Sequence, residues 1–169
     1  MYKIRNRVIT IALMLGITAA GIVFAQTSPD AVTSASITSD PAAFAKALSP
    51  GGTWIAAALN DITVKGDLIV AGSFLQDGKP YRKIALYSQD ANRKVTASFT
   101  LTAARLIVRS EHTRIQNGTF VGDVIVESRD FELTNATVRG NVYFASDALM
   151  KTFIKDAGSK VTGTVGVKK

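Results

Sequence analysis

Apolar and polar residues alternate along this chain only over short spans. "DVIV" (123–126), "NVYF" (141–144) and "DLIV" (67–70) are typical, and each is soon broken by Gly, Asn-Gly, Asn-Ala or Ser. Period-two alternation predicts strands, and the interrupting residues are turn formers. The short strands also recur in frame. "IQNGTFVGDVIV" (Ile115–Val126) and "LTNATVRGNVYF" (Leu133–Phe144) share the pattern [IL]-x-N-[GA]-T-[FV]-x-G-[DN]-V-x-[VF] at a spacing of eighteen residues. "LNDITVKGDLIV" (Leu59–Val70) is a third copy, and "KVTGTVGVKK" (160–169) is a degenerate last one.

The residues between Val70 and Ile115 leave room for more. "ARLIVRS" places Ala104, Leu106, Val108 and Ser110 eighteen before Gly122, Val124, Val126 and Ser128, and "RKIALYS" places Ile84, Leu86 and Ser88 in the same frame. Six copies result, with glycine or its stand-in at positions 66, 82, 104, 122, 140 and 163. Such a repeat predicts a coiling chain whose strands stack in parallel around a narrow core. A single copy cannot bury its own apolar row, and stacking buries it. The expected fold class is all-β: a single-stranded right-handed parallel β-helix of about six eighteen-residue rungs, roughly 25–30 Å tall. A left-handed helix needs an aliphatic residue every six positions, and from Leu133 the next place is Arg139.

Each repeated position has a structural reading. Gly66, Gly122, Gly140 and Gly163 fall where the chain enters its best strand, a corner needing positive φ or close backbone approach. Asn117 and Asn135 fit turns, because Asn tolerates the left-handed region and can bond along a stack of like turns. Both sit in glycosylation sequons, a weaker reading than the turn. Ser110, Ser128 and Ser146 follow the strands at constant spacing. Arg105, Arg109 and Arg114 lie eighteen before Asp123, Glu127 and Glu132, which predicts ion pairs between neighbouring copies that fix register.

The flanks differ in kind. Lys3, Arg5 and Arg7 precede an apolar run from Val8 to Ala25, and no acid occurs before Asp30. Residues 1–25 therefore read as an export signal peptide cleaved before Gln26, or as an N-terminal membrane anchor; only the anchor implies a membrane partner. Either places the remainder outside the cytoplasm, secreted, at the cell surface or in the periplasm. Polar residues 26–39 read as a flexible linker, and 40–169 as the solenoid domain. Asp40 as N-cap, Pro41 and Pro50-Gly51-Gly52 bound a helix over 41–48 that covers the first copy, with Trp54 and Ile55 beneath it. Ser146 is also placed to cap a helical turn reaching Met150.

Composition removes much chemistry. The chain has 169 residues, no cysteine and one histidine, so disulfides, thiolate metal sites and His-rich metal sites are excluded. Its 20 basic residues exceed 13 acidic ones, but three of the basic ones lie in the first seven positions, and the remaining surplus is dispersed. No nucleic-acid partner is expected. No nucleophile elbow, P-loop, dinucleotide fingerprint or zinc motif occurs. Neither an enzymatic activity nor a cofactor is expected, and His112 reads as an exposed turn residue.

"VKGDLIV", "FVGDVIV", "VRGNVYF" and "SKVTGTVGV" resemble the repeats of bactofilins and related polymer-forming β-solenoids over about residues 59–167. The resemblance implies a right-handed β-helix that assembles end to end into filaments without nucleotide. Two functions remain. The first is an exported structural protein that self-associates through solenoid ends or faces. The second is a binding module for cell-wall or extracellular polysaccharide, for which only Tyr87 and Tyr143 are expected to point outward.

Overall fold

Residues 36–168 are described by the computed structural model. The segment 1–25, and with it the choice between signal peptide and anchor, lies outside them, as do residues 26–35. Among the described residues no helix is long and apolar enough to cross a membrane.

The chain is all-β, built mainly of parallel sheets. It opens with strand β1 (Ser36–Thr38) and helix α1 (Pro41–Leu48). Strands β2 (Ile55–Ala58), β3 (Ile62–Thr63) and β4 (Asp67–Val70) follow. Next come a small hairpin, β5 (Leu75–Gln76) and β6 (Lys79–Pro80), then β7 (Arg82–Ala85). A second hairpin, β8 (Tyr87–Gln89) and β9 (Val95–Ser98), leads into the long β10 (Thr100–Val108). The regular part holds β11 (Thr113–Gln116), β12 (Thr119–Val126), β13 (Glu132–Thr134), β14 (Thr137–Arg139) and β15 (Val142–Phe144). Helix α2 (Asp147–Met150), β16 (Ile154–Lys155), β17 (Lys160–Val161) and β18 (Val165–Val167) complete the described chain.

Two parallel sheets carry the core. One runs β1-β2-β7-β11-β13-β16, and the other joins β3 and β4 to β10, then β12, then β14 and β15, then β17 and β18. Val126 pairs with Val108 on one side and Phe144 on the other, and all three are fully buried. Leu68, Leu106, Val124, Val142 and Val165 form a second file of matched residues, and Ile62, Leu101, Phe120, Val138 and Val161 a third. Like residues meet because the β12-to-β15 spacing is the eighteen-residue sequence period.

The copy expected at Arg82–Ser88 does not belong to this frame. Leu106 pairs directly with Leu68, thirty-eight residues earlier, which leaves no place between them. Ile84 instead joins the other sheet, between Ala56 and Ile115. The excess length of this stretch is taken up by the two hairpins, whose strands pair only with each other. Alternation in "RKIALYS" was a valid strand signal, but period two does not distinguish one sheet from the other. The frame also slips in β10, where Ala103 and Ala104 lie between paired positions that are bridged by Gly122 alone. Thr63 consequently aligns with Thr102 and Val121, not with Thr119.

Helix α1 forms where its signals stand. The Asp40 carboxylate accepts from the Ala43 amide at 2.7 Å, and Phe44, Ala47 and Leu48 are buried against the first strands. The expected linker 26–39 is shorter than drawn, because Ser36–Thr38 pair with Ala56–Ala58 as a parallel strand. Ser146 does cap a helical turn, accepting from the Leu149 amide.

Val126→Asp is expected to prevent folding, since it buries an unpaired carboxylate between Val108 and Phe144. Glu127→Ala, one residue on and exposed, is expected to cost less than about 1 kcal/mol. Thermal melts of the two variants check the order.

Candidate functional site

The repeated polar residues form ladders along the stack. Asn117 and Asn135 both adopt positive φ, at 56° and 48°. The Asn135 side-chain amide donates to the Asn117 side-chain oxygen at 2.8 Å. Ser128 donates to the Ser110 carbonyl at 2.7 Å, and Ser110 to the Gly72 carbonyl at 2.7 Å. Ser146 leaves the ladder for its capping role. Gly122 and Gly140 take φ of 136° and 155°, and a side chain on either would strike backbone of the preceding layer: Ala103 O for Gly122, Gly122 O for Gly140. Gly163 lacks positive φ, but its amide donates to Gly140 O at 3.0 Å, so its backbone lies equally close. Gly66, at the head of the file, has φ of 88° and open space around it.

Two of the three expected ion pairs are present. Arg109 meets Glu127 and Arg114 meets Glu132, each at 2.8 Å. Arg105 stands opposite Asp123 in register, yet its side chain turns to the other neighbour and binds Asp67, with Nε to Oδ1 at 2.8 Å. Asp123 accepts instead from the Asn141 backbone and side-chain amides, at 2.8 and 2.9 Å. Arg105 has acids on both sides, so the pairing was open in sequence. Hydrogen bonding from Arg105 holds the Asp67 carboxyl below the usual carboxylate range.

Two surface features were not anticipated. Ile69, Ile107, Ile125 and Tyr143 lie in one register file on the outer face of the second sheet, with Gly166 after them. The sequence signal was the middle letter of "LIV", "LIV", "VIV" and "VYF", apolar where alternation calls for a polar residue. At its far end a groove of about 560 Å³ runs between Ile125, Tyr143, Gly166 and the flanking Arg105 and Asp123. The second feature is aromatic. Trp54 and Tyr81, half-buried, approach to 5.7 Å between ring centroids, and the Arg114 guanidinium lies 5.3 Å from the Tyr81 ring. Nearby, Lys83 donates to the Tyr87 hydroxyl at 3.0 Å. Burial pushes the Tyr81 hydroxyl above its ordinary pKa, against the opposing charge of Arg114. Pairing of β2 with β7 brings Trp54 and Tyr81 together from twenty-seven residues apart, a contact that no local pattern announces.

His112 lies 3.2 Å from Asp130, which also binds Arg129. Among the described residues no cluster of His, Asp or Glu could hold a metal ion. No protein-family model, curated protein or solved structure matches the chain.

Gly66→Ala is expected to meet only the φ strain, about 1–2 kcal/mol. Gly140→Ala adds overlap with the Gly122 carbonyl and should be the larger loss. Urea denaturation of the two variants measures the difference.

Proposed function

We propose that this is an exported, non-enzymatic structural protein whose described part is a single-stranded right-handed parallel β-helix that self-associates. Five coils fit the registers, each giving one strand to the first sheet, which β1 extends as a sixth, and one bent strand or a pair of short strands to the second. The observation that carries the reading is an open end. Strand β18 pairs with β15 and has no other partner among the described residues, while at the opposite end α1 packs Phe44 and Leu48 against the first strands and only the three-residue β1 ends the first sheet. A free strand edge is a template for another strand. With one end covered, association through the other gives a closed pair about a twofold axis. A filament of the kind the bactofilin resemblance implies requires the outer file, Ile69 to Tyr143, as a second contact.

The free edge can be tested without disturbing the stack. Val142 N donates to Thr164 O and Lys168 N to Phe144 O, so these alternate residues turn their backbone groups inward. Val165 and Val167 therefore turn theirs outward. Val167→Pro removes one outward N–H and no inward one. Light scattering and electron microscopy of residues 26–169 should show paired or polymeric particles, and Val167→Pro should shift them to monomer. A parent chain that remains monomeric at high concentration ends the self-association reading.

The Trp54–Tyr81 pair favours a second reading, a module for cell-wall or extracellular polysaccharide. Half-exposed rings beside Arg114 and Lys83 suit the apolar face and hydroxyls of a sugar. Trp54 is the sole tryptophan, so its fluorescence reports this site alone. Saturable quenching by cell-wall polysaccharide, lost in Tyr81→Ala, is the expected outcome under this reading, and unchanged emission rejects it.

A further inference from the structure

Arg82 opens β7 and is wholly buried, yet none of the ion pairs among the described residues includes it. Its Nη2 donates to two carbonyls at the C-terminal end of α1, Ala47 O at 2.8 Å and Ser49 O at 3.3 Å. Phe74 covers the guanidinium at 4.0 Å from the ring centroid. Among the described residues Nε and Nη1 have no partner. Three of the five guanidinium donors are thus unmet, and a buried cation has only helix-end carbonyls for compensation. Burial pulls its pKa down to about 10, which still leaves it charged at neutral pH. Removing one partner from a buried charge is strongly destabilising, so a lone buried arginine calls for an anion.

A cavity of about 270 Å³ lies against this residue, walled by Phe74, Arg109, Ser110 and Glu111 among others. It is smaller than a drug-sized site but holds several water volumes. Arg109 adds a second positive charge, partly engaged by Glu127, and Glu111 opposes them. The β5–β6 hairpin forms part of the cover; its strands pair only with each other and its residues are exposed, and a ligand reaches the buried Nε and Nη1 only when this cover moves.

We propose that this cavity binds a small oxyanion, a carboxylate or phosphate group, on the unmet Nε and Nη1 donors of Arg82. The site is independent of the open end at β18 and of the Trp54–Tyr81 cluster. Thermal melts of the full chain, titrated separately with sodium phosphate and sodium acetate at constant ionic strength, test it. A saturable rise in Tm is expected; a response to phosphate alone assigns a phosphate group, to acetate alone a carboxylate, and to both an unselective oxyanion site. Glu111→Gln removes the opposing charge and should lower the half-saturating concentration about fivefold. Arg82→Met should abolish the response. The proposal is overturned by a rise without saturation, by no rise with either anion, or by a saturable rise that Arg82→Met retains. Where Arg82→Met does not fold, Glu111→Gln decides, and an unchanged midpoint overturns the proposal.

Discussion

Backbone pairing between residues eighteen apart requires that every layer have nearly the same path as the one beneath it. The requirement is tightest at the glycine file. The backbones of Gly122, Gly140 and Gly163 each lie against the carbonyl of the preceding layer, and no side chain fits there. A bend held this closely sets where the strand before it ends and where the strand after it begins. The rest of the register follows. Core residues then fall on core residues, as Val108, Val126 and Phe144 do, and Asn135 falls on Asn117. Side-chain ladders add specificity to a register already fixed by the main chain, and exposed ion pairs such as Arg109–Glu127 contribute little stability of their own.

The same requirement explains what could be read from sequence and what could not. Between Ile115 and Phe144 the layers are free of insertions, so residue spacing equals spatial spacing, and the strands and buried residues were legible there. From Ala71 to Phe99 that equality fails. Two hairpins are inserted there whose strands pair only with each other, and counting in eighteens then generated a copy at Arg82–Ser88 that is not in the frame. Strands of the two sheets share period-two alternation, so pattern alone could not show which sheet Ile84 joins. In β10 one additional residue at Ala103–Ala104 shifted the early threonines out of line. The partner of Arg105 was undetermined for another reason. Asp67 and Asp123 are its neighbours on opposite sides in identical register, and the choice rests on side-chain geometry.

The surface obeys the stack as well. Any residue that repeats becomes a line on the outside, so a single apolar choice in the middle of "LIV" is multiplied into the file from Ile69 to Tyr143. Ile125 is nearly covered by its own neighbours in that file, whereas Ile69 at its start is 42% exposed. Such a line is extended. It suits a long partner, another copy or a polymer, better than a small molecule. The aromatic cluster has the opposite character, for Trp54 and Tyr81 come from the irregular first layers and are not repeated. Repetition thus builds extended faces, and insertion builds local ones.

The two ends of the stack differ in how they meet water. At the first, α1 lays Phe44 and Leu48 over the core, and its last carbonyls are held by Arg82 from the next layer. The cover is therefore also held by a buried cation, because moving the helix away would strip the guanidinium of its only hydrogen-bond acceptors among the described residues. At the last, β18 has nothing beyond it there, and Val165 remains 42% exposed. Lys160 and Lys168 stand at that end and discourage indiscriminate strand addition by charge. A second copy that completes the edge brings the same lysines to it, so their repulsion opposes the pairing at low ionic strength and screening by salt relieves it.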